Sequence, residues 1–367
     1  MAQLKFVFLG LSITSSWGNG HATTYRALIR ELAARGHDIL FLERDVAWYA
    51  GNRDLPNPSY CRVELYGTTE ECKGRFAREV RDADVVVVGS YVPDGVLLGT
   101  WVTNIARGVK CFYDIDTPVT LTKLQRGDDE YLSPALIPRY DLYLSFAGGP
   151  VLQTLEKRFG APRARVLYCS VDPVVHHPEP VPQDLDLGYL GTYSDDRHST
   201  LESLLVEPAR RWPEGRFAVA GPLYPKSIHW PSNVRRIQHL SPKEHRAFYN
   251  RQRFTLNITR ADMAKAGYAP SVRLFEAAAC GTPIISDYWP GVESILQPDS
   301  EILIAGSPQE CLKLVRQMKD ADRIAIGERA RQRVLAEHTS AHRASELEGY
   351  ILEVLTVNSA ELTTSSV

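Results

Sequence analysis

Strand-like runs alternate with helix-like runs twice along this chain, once on each side of a stretch at 171–183, V-D-P-V-V-H-H-P-E-P-V-P-Q, that carries four prolines. In the first block the strand-like runs are Lys5–Leu11, Asp38–Glu43, Asp84–Val88, 109–113 and Tyr140–Ser145. Between the first two, residues 18–35 read as a loop entering a helix, with Tyr25, Leu28, Ile29 and Leu32 at helical spacing. Another helix is expected near 93–107. The second block restarts at Asp186–Leu190 and continues through Phe217–Ala220, Phe254–Ile258, Ile284–Ser286 and Glu301–Ile304, with helices at 198–212, His245–Gln252, 308–318 and 321–357. Continuous β-branched runs separated by helices specify parallel sheets covered on both faces. The expected fold class is therefore α/β. At 367 residues the chain is long for one core and natural for two domains.

The bulk numbers exclude several partner classes. Net charge is −2, which gives no electrostatic case for nucleic acid or an acidic membrane surface. The six cysteines form no C-x-x-C pair and read as buried free thiols of a reducing compartment. L-K-F-V-F-L-G-L-S-I at the start reads as a buried first strand rather than a signal peptide, because its basic region is only Lys5 and no A-x-A site follows. No run approaches the roughly 20 apolar residues of a membrane helix. A cytoplasmic protein is expected.

Residues 270–286, P-S-V-R-L-F-E-A-A-A-C-G-T-P-I-I-S, are the most specific stretch. Pro270 suits a first helical position, Gly281 a left-handed cap, and Pro283 prevents continuation before a strand. Ala269 is a poor N-cap. Unless Ser271 caps the helix, its first amides are free, and such a front attracts phosphate. Arg273 lies in that first turn, where the helix dipole disfavours a cation by about 0.3–1 kcal/mol. A bound anion would remove the conflict. Glu276 lies one turn on, on the same side as Ser271–Arg273.

Other loops carry chemistry-bearing residues. S-S-W-G-N-G-H-A-T-T-Y-R follows the first strand, with Gly18 and Gly20 fitting G-x-G-x-x-G but Thr23 in its third place, which weakens a dinucleotide reading. His21 is either a base near working pH or a helix-capping residue. Strand 109–113 delivers Asp114 and Asp116 of Y-D-I-D-T-P at its carboxyl end, where open α/β sheets bind ligands. Asp116 is either a base or positioning group, or a loop cap. No His/Cys cluster shows ligand spacing, so no metal site is expected.

The 267–293 segment and the S-V-D-P…H-P stretch resemble the GT-B glycosyltransferases, and more closely the CgeB-like, spore-maturation-type branch. The resemblance implies two Rossmann-like lobes whose sheets face across a cleft: 1–170 on the acceptor side, a linker over 171–185, a nucleotide-sugar lobe over 186–339, and a helix over 340–357 returning to the first lobe, with 358–367 a flexible tail. It implies metal-independent transfer of a hexosyl group from a nucleoside diphosphate sugar to an unknown hydroxyl acceptor, with no cofactor beyond that donor substrate. The helix front, with Ser271, Val272 and Arg273, would hold the diphosphate, and Glu276 the ribose. Gly191, Tyr193 and Arg197 of G-Y-L-G-T-Y-S-D-D-R-H follow the second lobe's first strand. Arg197 is either the cation for the leaving diphosphate or the partner of Asp195 or Asp196. Gly221 and His239 fall in loops that the resemblance places near the nucleobase, and Asp287 or the backbone near Trp289 in one near the donor sugar. His21 and Asp116 fall on the acceptor side. One departure stands out: many retaining members carry an acid eight residues before the position of Glu276, and Tyr268 stands there, as the CgeB-like G-Y-x-P-S-V-R-L-F-E pattern implies, so Tyr268 is expected among the donor-binding residues. A nucleotide-sugar 2-epimerase and a non-catalytic sugar-nucleotide binder remain the alternatives.

Overall fold

The computed structural model describes residues 3–364, with side chains through residue 357. Contacts divide the chain into two compact units. One runs to Tyr168 and takes in the residues from Ser340 onward; the other is Cys169–Thr339.

The first unit holds a seven-stranded sheet: β1 (Lys5–Gly10), β2 (Asp38–Arg44), β3 (Arg62–Tyr66), β4 (Val85–Gly89), β5 (Val109–Asp114), β6 (Leu142–Ser145) and β7 (Ala164–Val166), in the order β3-β2-β1-β4-β5-β6-β7. All pairs are parallel. The inner strands carry the core. Val85–Val88 are at most 1% exposed, and burying each such side chain contributes roughly 1.5–3 kcal/mol relative to exposure. Tyr25 of the helix His21–Ala34 packs edge-on against Phe8, Phe41 and Tyr113. Its hydroxyl fills space left by Gly89, where a Cβ would lie 1.8 Å away. This contact fixes the helix one turn after His21. The helix Ser340–Thr364 packs on the same unit: Glu348 pairs with His37 at 2.8 Å and Arg35 at 2.9 Å, and the Tyr350 hydroxyl donates to the Val166 carbonyl at 3.1 Å.

The second unit holds a six-stranded parallel sheet: β8 (Leu185–Leu190), β9 (Phe217–Ala220), β10 (Val234–Ile237), β11 (Gln252–Asn257), β12 (Ile284–Ser286) and β13 (Leu303–Ile304), in the order β10-β9-β8-β11-β12-β13. The proline-rich stretch lies on this unit. Val171 bridges to Thr339, and the Glu179 amide donates to Asn250 Oδ1 at 2.8 Å.

The two sheets are α/β layers of the expected class, each Rossmann-like. Boundaries differ where local chemistry overrides pattern. The helix expected from Pro270 begins at Val272, with Ser271 in its N-cap position. The run expected to be helical over 321–357 is broken at His338-Thr339 into Asp320–Glu337 and Ser340–Thr364, because the Thr339 backbone is drawn into the bridge with Val171. The helix expected at His245–Gln252 is Pro242–Asn250, since Ser241 and Glu244 close a capping box. The tail expected over 358–367 overlaps the end of the last helix, and residues 365–367 lie outside the described residues. Among the described residues no helix is long and apolar enough to cross a membrane.

Candidate active site

Strand order reverses between β1 and β4 in one sheet and between β8 and β11 in the other. Ligands of open α/β sheets bind outside the carboxyl ends of strands at such reversals. Both units place chemistry there.

In the second unit Arg273 joins the two strands at the reversal. Its Nε donates to the carbonyl of Leu190, the last residue of β8, at 2.5 Å, and its Nη1 to Oδ1 of Asn257, the last residue of β11, at 2.8 Å. The guanidinium lies 4.8 Å from the Tyr189 ring centroid and is 7% exposed. Arg197 donates from Nη2 to the Thr192 carbonyl at 2.6 Å, while its Nε is buried without a partner. Burial pushes the Arg197 pKa down, and the positive charges of Arg273 and Arg260 push the same way. The expected alternative pairing with Asp195 or Asp196 does not form. Asp195 accepts the Tyr193 hydroxyl at 2.6 Å, and Asp196 accepts the Ala261 amide at 3.0 Å and lies 3.7 Å from Arg260 Nε. Among the described residues, neither Arg197 nor Arg273 has a carboxylate within ion-pair distance. The Ser271 hydroxyl donates to Asn257 Oδ1 at 2.7 Å and does not cap its own helix. The first-turn amides of Val272 and Arg273 thus have no side-chain cap.

The neighbouring loops are tightly fitted. Gly191 receives the Tyr224 hydroxyl on its carbonyl at 3.1 Å, and a Cβ on it would meet the Tyr189 hydroxyl at 2.6 Å and Arg273 Nη2 at 3.0 Å. Gly221 has φ +140°, and a Cβ there would lie 2.0 Å from the Gly191 carbonyl oxygen, so the two loops touch backbone to backbone. Tyr193 packs edge-on against Tyr224 at 5.4 Å, and Arg236 stacks over Tyr224 at 4.1 Å with Trp230 beyond. His239 is exposed on the loop after β10. Tyr268 sits at φ +50°, its amide bonded to the Pro290 carbonyl at 2.7 Å. The carboxylate of Asp287, expected near the donor sugar, accepts the Thr259 amide at 3.1 Å and the Thr259 hydroxyl at 2.9 Å. Trp289 is buried.

Glu276, expected to reach the ribose, is turned inward. Its side chain is 4% exposed, and Oε2 accepts the Tyr249 hydroxyl at 3.0 Å. His176 Nε2 lies 3.8 Å from Oε1 and His245 Nδ1 3.6 Å from Oε2. Burial pushes its pKa up, but the two histidines and the Tyr249 hydrogen bond outweigh this and hold the carboxyl at about 2. Burial pushes His176 down, toward the neutral ring.

In the first unit the structure brings together two residues far apart in sequence. His21 Nε2 lies 3.2 Å from Asp116 Oδ2, with side chains 8% and 25% exposed, and Tyr91 stands edge-on to His21 at 5.6 Å. His21 Nδ1 is buried without a hydrogen-bond partner. Asp114 does not join them. It is fully buried, accepting the Tyr143 hydroxyl at 2.5 Å and the Thr120 hydroxyl at 2.7 Å. Burial pushes its carboxyl up to about 6, from roughly 3.9 in an unfolded chain. Its contribution to stability is therefore complete below pH ~4 and lost as pH rises through the folded value near 6. Asp114→Asn should remove that fall, on the order of 2–3 kcal/mol between pH 4 and 7. Urea midpoints of the two proteins across that range measure it; parallel curves would show Asp114 titrating normally.

The sequence alone did not single out Arg260, Asn257, Tyr189, Tyr224, Trp230, His176, His245 or Tyr249. Arg260 had a usable signal, as a cation just beyond a strand's carboxyl end. The others become visible only when the loops are brought together.

Residues 197–349 match the sequence profile of a family described as glycosyl transferase-like. No curated protein matches the chain in sequence. Solved structures match over nearly the whole chain at low identity. Sucrose-phosphate synthase from Thermosynechococcus elongatus superposes with TM-score 0.73 at 14% identity, over 97% of this chain and 100% of that one. HepE from Anabaena, solved with UDP and glucose, gives 0.72 at 13%, over 96% and 100%. An alpha-glucosyltransferase, solved with UDP-glucose and DNA containing an abasic site, gives 0.72 at 13%, over 96% and 100%. The chain thus has the GT-B glycosyltransferase fold, and within it residues 197–349 carry the glycosyl transferase-like sequence pattern.

Proposed function

We propose that the protein is a metal-independent hexosyltransferase of the CgeB-like branch, using a nucleoside diphosphate sugar as donor and a hydroxyl compound as acceptor. The observation that carries this is the placing of Arg197 and Arg273 on the adjoining loop residues Thr192 and Gly191, neither with a carboxylate partner among the described residues, beside an uncapped helix front at the reversal of the second sheet. Burial and the positive charge of Arg273 disfavour the Arg197 cation, and a bound diphosphate relieves this. Arg273 is held by Leu190 and Asn257 before any ligand arrives, so little reorganisation is needed as charge develops on the leaving phosphate. The neighbours solved with UDP or UDP-glucose support the ligand class, and G-Y-A-P-S-V-R-L-F-E supports the branch. Glu276 is not assigned to the ribose, because its carboxylate is directed at Tyr249, His176 and His245.

On the first unit, the His21–Asp116 pair receives the acceptor's proton. The acceptor oxygen attacks the anomeric carbon, the bond from that carbon to the β-phosphate oxygen breaks, and the nucleoside diphosphate departs with its charge met by Arg197 and Arg273. A thermal-shift series with UDP, GDP and dTDP tests the donor half. A nucleoside diphosphate at ~100 times its Kd should add roughly 2.7 kcal/mol of stability, and Arg197→Ala should abolish the shift. Absence of any shift across the series would remove this reading.

A further inference from the structure

Three side chains on the second unit converge without a hydrogen bond among them. His176 lies in the stretch after Asp172, His245 on the helix Pro242–Asn250, and Glu276 on the helix Val272–Ala279. One ligand atom from each lies within 4.8 Å of the others. The closest approaches to the carboxylate, 3.6 Å from His245 and 3.8 Å from His176, are too long for hydrogen bonds.

The protonation of His245 follows from its other nitrogen. Nε2 faces the Leu240 carbonyl oxygen at 3.3 Å. A carbonyl only accepts, so Nε2 carries a proton, and Nδ1, which is buried without a hydrogen-bond partner, is the ring nitrogen turned toward the carboxylate. Neither nitrogen of His176 has a hydrogen-bond partner, and the residue is 5% exposed. The centre is therefore a buried space lined by a carboxylate and by imidazole nitrogens that lack hydrogen-bond partners, and one bound cation would engage all three side chains.

We propose that His176, His245 and Glu276 bind one divalent transition-metal ion of the zinc class. Two imidazole nitrogens and one carboxylate oxygen form a familiar zinc donor set, with a fourth position for water. In a tetrahedral site with bonds of ~2.1 Å the ligand atoms stand about 3.4 Å apart, a few tenths of an ångström inside the two distances seen here. The outer partners are present as well. The Leu240 carbonyl orients the His245 ring, and the Tyr249 hydroxyl orients the carboxylate. The ion would fasten the 172–177 stretch to two helices, and neither arginine proposed for the diphosphate is among its ligands.

The test uses the full chain without a polyhistidine tag. Metal analysis after gel filtration should find about one zinc per chain. The EDTA-treated protein should take up Co2+ with the visible ligand-field bands of a tetrahedral site. His176→Ala and His245→Ala should each abolish the bands, and Tyr249→Phe should weaken Co2+ affinity by about 10–100-fold. Should the alanine variants fail to fold, X-ray absorption on the native zinc protein should count two imidazoles and one carboxylate. Two results would overturn the proposal: no bands in the native chain, or bands that persist in a folded His245→Ala protein. Glu276 would then be balanced by a protonated His245 alone. Nucleoside diphosphate binding is measured separately, so failure here leaves the donor reading standing, and the reverse.

Discussion

His21→Ala and Asp116→Asn should each lower the rate of sugar transfer by roughly 10²–10⁴-fold, the range for loss of a positioned proton acceptor, while leaving nucleoside diphosphate affinity unchanged. The separation follows from where the residues sit. Both lie on the first unit, after β1 and β5, and neither belongs to the unit that carries Arg197 and Arg273. Asp116 presents the more accessible group, with its side chain 25% exposed against 8% for His21. Two outcomes would show that the pair serves structure or donor binding instead: a parallel loss of donor affinity, or a fall in melting temperature large enough to account for the activity.

Arg197→Ala and Arg273→Ala should each reduce kcat on the order of 10²-fold, the effect of removing one preorganised group from a developing charge. Lysine at either position should recover only part, because an ammonium cannot reproduce the planar fork. Arg197 is the cleaner test. Among the described residues its side chain makes one hydrogen bond, to the Thr192 carbonyl, whereas Arg273 also ties β8 to β11. Transfer should not require added Mg2+ or Mn2+. Activity that appears only on adding either ion would mean that a metal bound with the donor, and not the arginines, meets the leaving charge.

The sequence disclosed those parts of the fold in which one segment carries its own signal. V-V-V-V-G at 85–89 is a buried inner strand on any reading, and the Pro, Gly and strand order of 270–286 marked its helix to within two residues. Elements at the rims were not legible. β3, R-V-E-L-Y, is a half-buried edge strand with charges in it, and β7 is only three residues long. The polar helix Thr69–Asp82 has only a thin apolar stripe, Cys72, Phe76 and Val80 at four-residue spacing, although Thr68 and Glu71 mark its start and the Thr68 hydroxyl accepts the Glu71 amide at 3.1 Å. Among site residues, His21 and Asp116 were each identifiable from their place after a strand, but their contact was not. The inward turn of Glu276 was hidden for a physical reason: it depends on histidines brought in from two other segments, and helical spacing reports only a residue's own face.

The edges of the two sheets have a consequence for solubility. β3 and β10 carry charge, the latter as V-R-R-I, while β7 and β13 are three and two residues long. None offers another chain a long, flat, uncharged template. The segment with the composition that stacks most readily is β4, which is paired on both sides by β1 and β5. Intermolecular strand addition therefore requires the first sheet to open at its centre, so aggregation should follow global unfolding and not fraying at the margins.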